Sequence, residues 1–549
     1  MHASLAFIAA GAAGLGIAGT RQRLTLSRAK HRSLAGHARW ALRIARQIPF
    51  FDYGEDRFFA VDGAPQDVAD RRRAGFDRLT ALYAARFART RALTAEAREG
   101  LSDLQFTGLY RVPFQFSRLV RAHLGVGAFL DRSDGLTVTD LDGNRFYDLT
   151  GSYGVNLLGT DAYKAIIAEA VEQATALGPV LGSYHPVVAD NVARLRALTG
   201  LDELSFHMSG TEAVMQAVRL ARYHTGRSHL VRFCGAYHGW WGEVQPGIGN
   251  PVIERRTYTL AELSERTLRT LATRRDIACV LINPLQALHP NAAAPSDGSL
   301  VDGGRRAGVN RAAYSEWLQA VATVCRARGI VLILDDVFMG FRLRPGSTAD
   351  YWGIEPDLIT FGKTLGGGLP IGVLAGRATL MKRSRDDRPV DICFARGTFN
   401  AHPYVMAAMN VFLRRLDEPA TAALYEGMDE RWDAHAAALN ARLEAEGLPV
   451  RVAGLSTVWT VTYAVPSRYN WMLQYYLRAE GLALSWVGTG RIIFSLAWGD
   501  EHFAAFADRF VAAAQAMRAD GWWWHPPGAT NKTVRRGILG ETIRARLGR

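Results

Sequence analysis

The sequence predicts an α/β protein: a mostly parallel sheet flanked by helices, with a smaller α+β domain and a helical N-terminal extension. Three observations carry this. From about residue 160, short apolar runs alternate with longer amphipathic stretches, the pattern of strand and helix by turns. Shorter strands and helices recur near the C-terminus, and residues 51–115 read as helix before the strand-like segment DGNRFYDL. The 549 residues are 48% hydrophobic, 21% charged and 10% aromatic, enough for a large core and unlike a disordered, collagen-like or disulfide-stapled chain.

The N-terminal arm comes first. Residues 3–19, SLAFIAAGAAGLGIAGT, form an uncharged Gly/Ala-rich run, short for a membrane span and without the basic start of a secretory signal. Over 31–48 a helical wheel places Arg32, Arg39, Arg43 and Arg46 on one stripe, with Leu34, Trp40, Ala41, Ile44 and Ile48 broadly opposite. A basic amphipathic helix with a Trp suits a membrane surface; a surface helix packed on the protein body gives the same wheel.

The formal charge of +13 is confined to the ends: residues 1–50 carry +8 with no acid, residues 530–549 carry +5, and 51–529 are neutral. No aromatic-interleaved basic face appears in the body, so nucleic acid is not an expected partner. Four scattered cysteines without a CxxC pair predict a reducing, cytoplasmic compartment and no structural zinc or disulfide framework. If the arm meets a membrane, it is the inner face. Lysine is scarce: only Lys30, Lys164, Lys363, Lys382 and Lys532 occur, so lysine chemistry has few candidates.

In the body, strands are expected at His229–Cys234, Ile277–Ile282, Ile330–Leu334, Asp357–Phe361 and Ile371–Ala375, separated by helices such as 211–224 and 311–328. Strands at Val458–Tyr463 and Arg491–Leu496, with helices near 469–480 and 501–518, form the smaller domain. Trp522, Trp523 and Trp524 precede Pro526 and Pro527, where a helix must stop. They suit an interfacial belt, or packing against a neighbouring subunit or the N-terminal extension, with a mobile basic tail beyond. The expected division is an arm over 1–50, a helical extension over 51–115, part of the small domain over 116–160, the large domain over 161–397, the rest of the small domain over 398–520, and the Trp-rich segment and tail over 521–549.

Four motifs carry chemistry. Ser209-Gly210-Thr211 opens an amphipathic helix, where free backbone N–H groups and hydroxyls make a phosphate seat or an ordinary cap. Gly235-Ala236-Tyr237-His238-Gly239 follows a strand, and its glycines let an aromatic ring stand over a flat ligand or simply pack. Leu332–Val337 is an apolar strand ending in Asp335 and Asp336, where a carboxylate could face a protonated heteroaromatic nitrogen. A metal pair or helix cap is the alternative, without neighbouring ligands at the right spacing. Asp357–Lys363 runs a strand directly into a lysine followed by Gly366, Gly367 and Gly368. Enclosure there would lower the amine's pKa, as Schiff-base chemistry requires; a phosphate-binding lysine would need the GxxxxGK[ST] spacing, which is absent.

HMSGTEAVMQAVRLARYHTGR, GAYHG, LILDDVFMGFR, PDLITFGKTLGGGLPIG and GTFNAHP stand in the order and spacing of class-III pyridoxal-phosphate-dependent aminotransferases. The chain resembles that family over roughly 115–520, and within it most resembles glutamate-1-semialdehyde 2,1-aminomutase. The resemblance implies a fold-type-I homodimer with pyridoxal 5'-phosphate at the subunit interface. It implies that Lys363 forms the Schiff base and moves the proton, that Asp335 pairs the ring nitrogen and that Tyr237 stacks on the ring. Ser209, Gly210, Thr211 and His238 would complete the cofactor site, Gln286 would approach the ring's phenolic oxygen, and Thr398 would reach the phosphate from the partner subunit.

Tyr153, in Ser152-Tyr153-Gly154, would line the substrate side. Asn283 replaces a glutamate usual in the family, GTGR at Gly488–Arg491 shows no match to the aminomutase's substrate-side glutamate, and Arg491 could clamp a carboxylate or lie on the surface. Pro345–Tyr351 resembles the mutase's mobile gate region only loosely. The cofactor half is thus intact and the substrate half altered, which favours an aminotransferase acting on small amine and carbonyl substrates. An aminomutase, a decarboxylase on the same fold, or a catalytically silent membrane-tethered scaffold are the alternatives; the last conflicts with the presence of Lys363 and Asp335.

Overall fold

The computed structural model describes residues 19–32, 34–291, 308–485 and 490–548. The chain divides into two compact units, one of residues 1–45, 170–294 and 310–414, the other of 46–169, 295–309 and 415–549.

The first unit is built on a seven-stranded sheet. Its strands are β1 (Glu203–His207), β2 (His229–Phe233), β3 (Thr257–Leu260), β4 (Ile277–Ile282), β5 (Val331–Asp335), β6 (Leu358–Gly362) and β7 (Gly372–Gly376). They lie in the order β1-β7-β6-β5-β4-β2-β3. Neighbours from β6 through β3 are parallel, and β7 alone runs antiparallel to both its neighbours. Strands β4 to β7 are buried at every residue, which is why they read as unbroken apolar runs rather than alternating ones. The helix Gly210–Thr225 covers one face, packing Val214, Ala217, Val218 and Ala221 among Leu281, Ile333, Leu358 and Leu374. β1 and β3 were not among the expected strands, because ELSFH and TYTL are short and mixed in polarity.

The arm closes the β3 edge. Lys30 bridges Leu260, and the Ala261 N–H donates to the Ala29 carbonyl at 2.9 Å. This covers backbone groups that an open edge would leave exposed. The amphipathic helix expected over 31–48 is instead a 3-10 turn at Leu34–Gly36 followed by Ala38–Ala45. Gly36 explains the break: a Cβ there would lie 2.3 Å from the His31 carbonyl oxygen, so the chain folds back on itself. Ala41 and Leu42 are buried, and Ala38 and Ala41 flank the space beside Gly247. The apolar run over 3–18 lies outside the described residues. Among the described residues, no helix is long and apolar enough to cross a membrane.

The second unit holds a four-stranded sheet (Leu130–Asp134, Thr137–Asp140, Arg145–Asp148, Leu482–Ala483) and a three-stranded one (Val450–Leu455, Val458–Tyr463, Arg491–Ile493). The expected strand beyond Ile493 does not form. Trp522 is buried against Phe59 and Tyr469, and its Nε1–H donates to the Tyr476 hydroxyl at 2.8 Å. Trp522 therefore packs on the helical extension, while Trp523 meets Tyr463 and donates to the Ala514 carbonyl at 3.0 Å. Arg72 sits among the tryptophans, fully buried, paired with Asp62 and 4.3 Å from the Tyr469 ring centroid.

The basic tail is not mobile as expected. It forms the helix Asn531–Arg546, whose single acid, Glu541, is buried and paired with Arg57 at 2.7 Å and Arg468 at 3.1 Å. Tyr53 donates its hydroxyl to the same carboxylate. The wealth of arginines in the tail hid the one acid that anchors it.

Candidate active site

The site assembles in the first unit where β5 and β6 end. Asp335 is the last residue of β5, and in the parallel register it stands opposite Thr360 of β6. Three residues further along β6 the chain reaches Lys363, just past the strand end. Adjacent parallel strands deliver a carboxylate and an amine to one edge of the sheet, where the crevice of an open α/β sheet forms.

Asp335 is 2% exposed and fully engaged. His238 Nδ1 lies 2.6 Å from its Oδ2, while Oδ1 accepts from the Val337 N–H at 3.2 Å and the Thr360 hydroxyl at 3.3 Å. A buried carboxylate held by this many donors is fixed in orientation, as the partner of a ring nitrogen must be. Asp336 departs in the other direction. It accepts from Ser347, from the Thr348 N–H at 2.7 Å and from the Thr348 hydroxyl at 2.6 Å, and burial pushes its carboxyl up to about 6. The adjacent acids thus do separate work, and Asp336 ties down the following loop.

Lys363 adopts φ +47, a left-handed conformation uncommon outside glycine. Its amine lies 5.5 Å from the Phe338 ring centroid. Burial lowers its pKa, the Asp335 charge opposes this and the Arg342 guanidinium adds to it. An amine so placed is neutral more often than a free lysine, as a nucleophile must be.

The remaining motifs close around this pair through glycine. A Cβ on Gly210 would lie 2.5 Å from Val337 Cγ1, and one on Gly239, at φ +94, would lie 2.4 Å from Thr211 Oγ1. The helix start, the GAYHG loop and the turn after Asp335 therefore touch where only hydrogen fits. Ser209 caps the helix Gly210–Thr225, accepting from the Glu212 N–H at 3.2 Å, while Glu212 accepts from the Met208 N–H at 2.9 Å. The N–H groups of Gly210 and Thr211, in the first helical turn, have no helical partners and form the positive end of the dipole, where a phosphate sits well.

Tyr237 exposes 57% of its surface, so one ring face is open. Its carbonyl accepts from Asn283 Nδ2 at 2.9 Å, and Asn283 Oδ1 accepts from the Leu285 N–H at 3.1 Å. With both ends engaged and 5% exposure, Asn283 braces the Tyr237 loop instead of facing substrate as the sequence suggested. Gln286 is likewise buried and donates to the Cys234 carbonyl. His238, expected to touch the cofactor, stands behind Asp335. The geometry fits pyridoxal phosphate: a buried, hydrogen-bonded carboxylate for the ring nitrogen, an open aromatic face, a desolvated amine and a glycine-lined helix start for the phosphate.

Thr398 is exposed and, among the described residues, hydrogen-bonds to none of the other expected site residues. In the second unit, Tyr153 is 47% exposed on a turn where Gly151, Ser152, Tyr153 and Gly154 all have positive φ, at 50, 46, 56 and 97°. Arg491 begins the strand Arg491–Ile493 beside Tyr463, Trp471 and Gln474. Gly488 and Thr489 of the GTGR segment lie outside the described residues.

Sequence reasoning missed Arg232, Thr360 and Arg342. Arg232 is a buried cation on β2 that donates to the Ala236 carbonyl at the base of the GAYHG loop, with no acidic partner among the described residues. The signal was a lone charge in the apolar run HLVRFC. Thr360 is found by strand register alone.

Residues 120–243 and 303–514 match the class-III aminotransferase family. Among curated relatives, a glutamate-1-semialdehyde 2,1-aminomutase of Nitratidesulfovibrio vulgaris (strain DP4) is 34% identical over 359 residues, covering 64% of this chain and 81% of the relative. Among solved structures, a β-phenylalanine aminotransferase from Variovorax paradoxus superposes with a TM-score of 0.62 at 25% identity, covering 83% of this chain and 99% of that one. A transaminase with PLP bound gives a TM-score of 0.60 at 26% identity, over 76% and 98%.

Proposed function

The chain belongs to the class-III aminotransferases, enzymes that use pyridoxal 5'-phosphate, and on that premise we propose that it moves an amino group from an amino donor to a carbonyl substrate through Lys363. The observation that carries this is the desolvated amine of Lys363 and the buried, hydrogen-bonded carboxylate of Asp335 at the ends of adjacent parallel strands. When bound, pyridoxal phosphate supplies an aldehyde that condenses with amines and a ring that accepts the electron pair released at carbon.

The chain's own residues do the rest. Lys363 Nζ, held toward its neutral form by burial, attacks as a nucleophile and later accepts and returns a carbon-bound proton. Asp335 holds a proton on the ring nitrogen, and His238 fixes the carboxylate's orientation. Gly210 and Thr211 offer backbone N–H groups to the phosphate, Tyr237 covers the ring, and Gln286 with Asn283 stiffens the loop that carries it. Tyr153 lies on a strained turn of the kind that clusters at functional sites.

The test is spectroscopic: amino donors are added singly to the purified holoenzyme and the cofactor band is followed. Conversion by at least one donor, lost in Lys363→Ala, is expected; unchanged spectra with every donor, or conversion that survives the substitution, defeat the proposal. A second reading is favoured by the curated relatives, which carry the name glutamate-1-semialdehyde 2,1-aminomutase. Incubation with glutamate-1-semialdehyde alone separates the two, since 5-aminolevulinate formed without an added donor means intramolecular transfer.

Two assembly features belong to the same proposal. Tyr237, Trp240, Ile248, Val252, Phe394 and Phe399 each expose more than half their surface on the first unit. So much exposed apolar area is what a homodimer buries, with Thr398 in the same loop as Phe394 and Phe399 meeting the partner's phosphate site. The basic N-terminal arm lies on a membrane surface.

A further inference from the structure

The arm sorts its side chains by height above the first unit. In the helix Ala38–Ala45, Ala41 and Leu42 are buried, while Trp40 is 58% exposed and Ile44 43% exposed. Trp40 and Ile44 are four residues apart and share one outward stripe. Arg39 and Arg43, also four apart and exposed, form the stripe beside it, and the Arg43 guanidinium lies 5.4 Å from the Trp40 ring centroid. Nearer the N-terminus, Leu24 is 51% exposed among the exposed Arg21, Arg23 and Arg28. Residues 1–50 hold eight basic residues and no acid. The helix has thus already spent its packing face on the body, and what it presents outward is a Trp and an Ile flanked by guanidinium groups.

We infer that this face, Trp40 and Ile44 flanked by Arg39 and Arg43 with Leu24 and its arginines, binds the anionic phospholipid of a membrane surface, apolar side chains in the headgroup boundary and arginines on the phosphates. The inference rests on the reading of the arm as membrane-facing and adds the lipid charge and the residues that contact it. A second copy of the arm is a poor occupant, because two acid-free basic faces repel. A nucleic acid would satisfy the arginines and leave the apolar stripe in water. Interfacial helices with aromatic and aliphatic residues beside basic ones bind by both terms together.

The experiment is co-sedimentation of the full-length holoenzyme with vesicles of phosphatidylcholine alone or with one third phosphatidylglycerol. Binding to the phosphatidylglycerol vesicles, weakened by salt, is expected. Partition falls roughly tenfold in the Trp40→Ser/Ile44→Ser double variant and roughly fivefold for each arginine removed in Arg39→Gln and Arg43→Gln, with aminotransferase activity unchanged. Equal binding to both vesicle types, lost in the double variant, overturns the anionic preference and leaves the membrane reading standing. Binding to neither overturns both. Binding that salt abolishes and the double variant leaves untouched marks a polyanion, such as nucleic acid, as the partner and overturns the inference.

Discussion

His238 Nδ1 lies 2.6 Å from Asp335 Oδ2, with both side chains removed from solvent. His238 Nε2 is also buried, with no hydrogen-bond partner among the described residues. A second proton on that ring would have no acceptor, and burial lowers the His238 pKa accordingly; Asp335 opposes the shift and Arg232 reinforces it. The neutral ring therefore donates through Nδ1 to the Asp335 carboxyl group. Replacing His238 with Leu removes one charge-assisted bond, worth about 2 kcal/mol. Cofactor affinity should weaken roughly thirtyfold, measured by equilibrium binding to the apoprotein.

Burial sets the low pKa of His238, and Arg232 adds to it. Arg232 is a buried cation with no acidic partner among the described residues, placed so that it penalises charge on His238. In Arg232→Gln the His238 pKa rises toward its ordinary value, and activity gains an acid-side inflection that the parent lacks. Arg232→Lys restores the parent profile. A uniform loss at every pH, with no new inflection, would mean that Arg232 only braces the Ala236 loop.

Lys363 presents a simpler case. Its replacement by Ala removes nucleophile and proton carrier together, and the rate should fall by at least about 10³. Lys363→Arg should not recover it, since a guanidinium stays charged. Because burial lowers the amine's pKa, the parent rate should rise with pH and level off below the usual lysine range. A rate still rising at the ordinary lysine pKa contradicts a desolvated amine.

The parallel core was legible because β4, β5 and β6 are buried on both faces, and only apolar runs satisfy that condition. The glycine-flanked motifs were legible because close backbone approach admits no substitute, as at Gly210 and Gly239. What escaped depended on pairings distant in sequence. Nothing local says that Glu541 meets Tyr53 and Arg468, nor that Asn283 turns inward to the Tyr237 carbonyl. The wheel over 31–48 failed because periodicity ignores the chain reversal that Gly36 makes against His31.

Glu262 gives the first unit a second titration. It is buried, accepts from the Tyr314 hydroxyl at 2.8 Å and the Asn291 N–H at 3.1 Å, and burial pushes its pKa up to about 7. The folded form therefore binds a proton that the unfolded chain, near 4.5, does not. Its contribution to stability is complete below pH 4.5 and disappears as pH rises through about 7, up to about 3 kcal/mol. In Glu262→Gln that part of the pH dependence should vanish. Thermal midpoints recorded from pH 5 to 8 decide it, and parallel curves for parent and variant refute the assignment.

Glu541 makes the strongest claim about the second unit. It is the only acid of residues 530–549, it is buried, and Arg57, Arg468 and Tyr53 all converge on it. Removing one member of a buried ionic cluster leaves the others desolvated and unpaired, which costs about 3–5 kcal/mol. Glu541→Ala should lower the melting temperature and release the helix Asn531–Arg546 from Tyr53. Its four arginines would then become open to trypsin, which should clip the variant after Lys532 or Arg535 while the parent resists. A tail cut equally fast in both proteins would mean that Glu541 does not hold it, and the sequence-based expectation of a mobile tail would be right after all.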